Sequence, residues 1–223
     1  ITLEYLQGSG EGNADDIAVG SVLEVVLDED NQAVSVTVRN LNAGGGFGGS
    51  GEVTNGTSAN TITEDTEVDS ETYTSTGDDE NALRVDGATV TLKDITIEKT
   101  AGSSSNTEDG DFYGLNAGLL VLNGATATIT GATVNTSVTN GNGVFSYGEG
   151  TVVNISDSTI RTTENNSGGI QTTGGGTMNA ANLDVETQGN SAAAIRSDRG
   201  GGTVKVDGGS YVTNGTGSPA IYC

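Results

Sequence analysis

Carboxylates outnumber every other ionisable side chain here, 30 against 8 Lys and Arg, so the chemistry they allow comes first. Three groups have the residue types and close spacing of a hard-cation site: Asp28-Glu29-Asp30-Asn31, the run Asp78-Asp79-Glu80, and Asn106 with Glu108, Asp109 and Asp111. Carboxylate and amide oxygens are what calcium prefers. The leading reading of these acids is solubilising charge, with no cofactor; the alternative is calcium, through Asp28, Asp30, Glu108, Asp109 and Asp111. None of these groups reproduces the Asp-x-Asp-x-Asp-Gly loop with its distal Glu, or a glycine-aspartate nonapeptide repeat. Acid/base hydrolysis needs carboxylates converging on one face. The nearest approach is Asp184 and Glu186 beside Arg161, followed by Arg196 with Asp198 and Arg199 one turn later. With no His in the chain and no stacked carboxylate column, these read as solvated ion pairs. The sequence assigns no catalytic residue. Phe112, Tyr113, Phe145 and Tyr147 are the candidate aromatic platforms for a glycan or protein ligand. Cys223 is the single cysteine, so neither an intrachain disulfide nor a cysteine metal set can form.

The elements that must carry these groups recur with a fixed period. Leu83, Leu120, Val144, Ile170, Ile195 and Ile221 each open a short β-type run, and from Leu120 onward the steps are 24, 26, 25 and 26 residues. Self-similarity in this range marks a solenoid. A second apolar pair follows in each repeat: Val90/Leu92, Ala127/Ile129, Val152/Ile155, Met178/Ala180 and Val204/Val206. A third column comes five residues later, at Ile97, Val134, Ile160, Val185 and Tyr211. Three strands per repeat predict a triangular coil. Alternation in Thr89-Val90-Thr91-Leu92 turns the apolar side chains inward and the hydroxyls outward.

The outward Thr pairs begin as Thr89/Thr91 and Thr126/Thr128. They decay through Thr151/Val153, Thr177/Asn179 and Thr203/Lys205, so no flat ice-binding array is expected. Between second and third strands sit turn-tolerant residues such as Lys93-Asp94, Thr130-Gly131 and Asp207-Gly208-Gly209. Loops after the third strand vary in length, and the one before Leu120 gains the run Gly102 to Gly114. Ile221 and Cys223 fall at the inward positions held by Ile195 and Ser197 one turn earlier, which predicts a buried thiol. The register stops as a new turn opens. The expectation is a longer protein, or assembly through Ile221 and Cys223 at an open coil end.

Residues 1 to 53 read differently. Ser21 to Leu27 and Ala33 to Arg39 flank a polar turn and predict a β-hairpin, followed by the glycine-rich run Ala43 to Glu52. This segment is expected to cap or attach the coil, which occupies 54 to 223. Ile62, Val68 and Tyr73 supply its first irregular rungs.

The repeat geometry resembles the right-handed parallel β-helix of pectate-lyase-like proteins. The runs ENALRVDGATVTL, NGNGVFSYGEGTVVNISDSTI, NNSGGIQTTGGGT and NSAAAIRSDRGGGTV resemble adhesin-like, repetitive β-helical surface or secreted proteins of gut Gram-positive bacteria, over about Tyr73 to Cys223. The resemblance implies an extracellular or cell-surface location and brings no catalytic residues. A formal charge of −22 argues against nucleic acid and anionic membrane partners, and no apolar run long enough for membrane insertion is present. The expected role is non-catalytic, a structural or adhesin-like protein for attachment or display whose partner is a host glycan or protein. The alternative is a filament or surface-layer subunit that binds copies of itself through coil ends or the N-terminal strand. A carbohydrate-active enzyme ranks below both.

Overall fold

The computed structural model describes residues 6–7, 10–11, 22–28, 33–39 and 54–223. The chain divides into two compact units, Ile1–Val53 and Thr54–Cys223. In the first, Val22–Leu27 pairs antiparallel with Ala33–Arg39, with a register irregularity at Val26/Leu27, and Leu6–Gln7 pairs antiparallel with Gly10–Glu11. The glycine-rich run 43–52 lies outside the described residues. Among the described residues no helix is long and apolar enough to cross a membrane.

The second unit is a parallel β-helix with three strands per turn, built from sheets of seven, six and six strands. The first sheet runs from Thr61–Ile62 through Leu83–Asp86, Leu119–Leu122, Val144–Tyr147 and Ile170–Thr173 to Ile195–Ser197 and Ile221–Tyr222. The second starts at Thr66–Asp69 and ends at Gly202–Asp207; the third starts at Thr72–Ser75 and ends at Ser210–Thr213. Ile62, Val68 and Tyr73 pair with Val85, Leu92 and Ile97, so they do form the first rung. Inward side chains stack into one core, in which Leu92, Ile97, Val134, Ile160 and Val185 are fully buried. Burying each such side chain stabilises by about 1.5–3 kcal/mol.

Two register assignments need correction. Leu83 pairs with Leu119 and Leu119 with Val144, so Leu119 holds the inward column and Leu120 faces out. Likewise Val153, not Val152, stacks between Ala127 and Met178. The outward column therefore reads Thr126/Thr128, Val152/Asn154 and Thr177/Asn179. Period-two reasoning fails at Leu119-Leu120-Val121-Leu122 because all four are buried, leaving no polar face to mark the phase.

Two repeated devices hold the corners. Between second and third strands every turn has a residue with a left-handed backbone, Ser70, Asp94, Gly131, Asp157, Asn182 and Gly208, with φ between 49° and 69°, and Gly209 (φ 93°) adds a second in the last. Asn, Asp and Gly tolerate that conformation best. After the third strand, buried Thr136, Thr162 and Thr187 each donate a hydroxyl hydrogen bond to the carbonyl five residues ahead, those of Gly141, Ser167 and Ala192.

Candidate functional site

The regular coil is interrupted where the sequence inserts Gly102 to Gly114. This segment contains a helix, α1 (Thr107–Tyr113), laid over the outer face of the first sheet. Asn106 caps its start by accepting from the Glu108 and Asp109 N–H groups, and Gly114 ends it with φ 75°. The approach to the helix is tied down by the acidic run: Asp78 accepts from the Ser103 N–H and hydroxyl, and Asp79 from the Ser105 N–H. Those bonds hold the Asp78 carboxyl below its usual pKa.

A helix leaves its last four carbonyls without partners of its own. Here each is capped by a side chain from elsewhere in the coil. Asn142 donates to Gly110 O (3.1 Å), Gln171 to Asp111 O, Thr173 to Phe112 O (2.6 Å) and Asn55 to Tyr113 O (2.5 Å); Asn81 adds a bond to Gly114 O (2.8 Å). Arg84 holds the other side of this clamp, donating to the carbonyls of Asn55, Gly56 and Thr57 and to Asn81 Oδ1. Gly110 permits the close approach, since a Cβ there would lie 2.4 Å from Asn140 Cγ. Beneath α1 a second apolar cluster of Ala117, Leu120, Leu122 and Phe145 is buried, with Tyr147 packed against it. The insertion is thus a strap across several rungs.

Of the four aromatic candidates, Phe112 and Tyr113 belong to this strap and Phe145 and Tyr147 to the strand beneath it. Phe112, Tyr113 and Phe145 are buried, and Tyr113 meets Tyr147 edge-on with ring centroids 5.6 Å apart. They form packing under the helix rather than an open platform. The acids suggested for calcium are likewise dispersed. Glu108 pairs with Arg199 (2.9 Å), Asp109 accepts from Asn106 (2.9 Å), and Asp111 accepts from Asn140 (3.0 Å) with Arg196 at 3.6 Å. Asp28 is exposed in the other unit, and Asp30 lies outside the described residues. Among the described residues no group of three or more acids converges on a metal position.

Of the two charged sets, Arg161 with Asp184 (2.5 Å) and Glu186 (3.8 Å) is partly exposed. The Arg196 corner is not a solvated set. The Arg196 side chain is only 12% exposed, and its guanidinium donates to Asp198 through Nε (3.0 Å) and Nη2 (2.8 Å) and stacks near the rings of Phe112 (5.4 Å) and Tyr222 (5.5 Å). Arg199 lies 3.7 Å from the Phe112 centroid. Burial pushes the Asp111 carboxyl up to about 6; the Arg196 charge pulls against this, while Glu108 and Asp198 reinforce it. Asp111, Ser191, Ala193, Arg196, Gly217, Pro219 and Tyr222 line a cleft of about 260 Å³ here.

A wider groove of about 380 Å³ runs along the second sheet between the outward residues Thr128, Asn154, Asn179 and Lys205 and the row Thr130, Ser156, Ala181 and Asp207. Lys99 stands where later turns carry the buried threonine. Fully buried, its ammonium donates to Ser75 Oγ (3.2 Å) and to the carbonyls of Gly77 (2.6 Å) and Ala101 (2.7 Å). Burial lowers its pKa. With three donors committed it has no lone pair to activate Ser75, so the pair is a lock and not a nucleophile with its base. Ile221 pairs with Ile195 as the register requires, yet it is 65% exposed and Cys223 is exposed as well. The expected burial of that thiol is not observed.

Sequence reasoning missed the helix and its caps. The signal for the helix was present: Asn106 followed by Glu108 and Asp109, with Gly114 seven residues beyond Thr107, is a start and stop pattern. No protein-family model, curated protein or solved structure matches this chain.

Proposed function

We propose that this chain is a non-catalytic, extracellular attachment or display module of a bacterial cell surface, whose contact surface is the corner built by α1 and the rungs beside it. The observation that carries this reading is the strap. Five side chains from separate parts of the coil cap the end of one short helix, which fixes an irregular surface on an otherwise uniform rod. The charged groups at that corner engage one another in ion pairs and ring stacking, an arrangement suited to rigid presentation. Outward ladders of Thr, Asn and Ser on the second sheet fit a hydrated exterior. The resemblance of the repeats to surface adhesin-like proteins supports the location, and the partner class is a host glycan or protein.

The test is adherence. The full chain, displayed on a non-adherent bacterium, is expected to confer attachment to surfaces coated with host mucosal glycans or matrix proteins. Light scattering and negative-stain imaging of the purified chain accompany it. Absence of attachment together with regular filaments would replace this reading with self-assembly through coil ends or the N-terminal strand.

A further inference from the structure

The cleft beside α1 has a donor, an acceptor and an aromatic ring placed together, each held by groups that leave part of it unused. Asp111 Oδ1 is engaged by Asn140 and faces Arg196, while its Oδ2 has no partner among the described residues. Arg196 spends Nε and Nη2 on Asp198 and keeps Nη1, 3.6 Å from Asp111, without a hydrogen bond. The guanidinium lies near one face of Tyr222, a residue that is 49% exposed. Ser191 is exposed at the rim, and Ala193 and Pro219 complete an apolar wall.

We propose that this cleft binds a single neutral sugar residue: a pyranose whose hydroxyls donate to Asp111 Oδ2 and accept from Arg196 Nη1, with its C–H face against Tyr222. A carboxylate and a guanidinium fixed side by side match an adjacent pair of hydroxyls, one donating and one accepting. An aromatic ring next to them gives the apolar contact that a sugar face needs. The volume of about 260 Å³ lies below the range of drug-sized pockets and suits one ring rather than a chain segment. Electrostatics selects the neutral class. The chain carries a formal charge of −22, and Arg196 already faces Asp111 and Asp198, so an anionic ligand meets repulsion on approach and finds no spare positive charge.

The inference rests on the attachment reading only for the choice of surface, and its test is separate. Methyl glycosides of mannose, galactose, glucose and N-acetylglucosamine are titrated into the full chain, with saturation-transfer NMR on the sugars and the Arg196 side-chain N–H signals followed on the protein. At least one glycoside is expected to bind with millimolar affinity and to shift the Arg196 signals. Tyr222→Ala should weaken that binding at least tenfold, and Asp111→Asn should weaken it with the fold unchanged by circular dichroism. Binding unaffected by both variants would place the sugar elsewhere and overturn the proposal. So would binding of arginine methyl ester in place of any sugar, or no binding by any probe. If displayed cells still adhere while the glycosides do not bind, only this inference falls.

Discussion

Thr162→Val isolates the device that closes each turn. The hydroxyl is fully buried and donates to Ser167 O at 2.5 Å, and no other donor reaches that carbonyl among the described residues. Valine keeps the shape and removes the donor, leaving a buried acceptor unpaired at a cost of about 1–3 kcal/mol. The added methyl recovers about 0.8 kcal/mol at most, since it enters a site already filled. The expected net loss is about 1–2 kcal/mol, read in the full chain as a lower urea midpoint with unchanged slope, by far-UV circular dichroism. Thr163→Val, one residue on and exposed, is the control and should shift stability by no more than about 0.5 kcal/mol. Thr136→Val and Thr187→Val should cost similar amounts, because both repeat the same bond one turn away. Equal midpoints for the Thr162 and Thr163 variants, or a gain for the former, would refute the reasoning that these hydroxyls hold the corners.

Three further outcomes are expected. Lys99→Met strands the Gly77 and Ala101 carbonyls, while Ser75 Oγ keeps its bond to Glu80, and should destabilise the coil by about 2–4 kcal/mol in the same urea assay, since bonds from a charged donor are the stronger kind. Phe145→Ala empties the cluster beneath α1 and should cost about 3–5 kcal/mol while raising binding of a hydrophobic dye. Asp111 has a folded pKa of about 6 against an ordinary 3.8, so its stabilising contribution is complete below pH 3.8 and is lost as pH rises through 6. The gap corresponds to about 3 kcal/mol. Comparing urea midpoints of the parent chain and Asp111→Asn across that window should show this slope only in the parent.

The coil was legible in the sequence because its cause is periodic: apolar residues at period two, repeated every 25 or 26 residues, admit few folds. The third column at Ile97, Val134, Ile160, Val185 and Tyr211 lies where that spacing puts it. The phase slipped at Val152 because the pair Val152/Ile155 departs from period two where Val153/Ile155 keeps it, and at Leu120 because alternation carries information only when one face is wet. Covering the first sheet with α1 removed that contrast. The helix escaped notice because seven residues, three of them acidic and one a glycine, form no amphipathic stripe; it is held by caps and packing rather than by propensity. Those caps, Asn55, Asn81, Asn142, Gln171 and Thr173, are ordinary polar residues separated by as many as 118 positions, and only the coil brings them to one helix end. The Arg196 corner looked solvated for the same reason, since its cover arrives from some 85 residues upstream.

The measurement that bears most directly on a binding module without chemistry is incubation of the full chain with a panel of plant and mucosal polysaccharides, following bound polymer and newly formed chain ends together. The account predicts that polymer carrying the recognised sugar is retained, is recovered at full length, and gains no reducing or unsaturated ends however long the incubation. Chain ends that accumulate in proportion to time and protein concentration would contradict it and make the acidic corner a catalytic site.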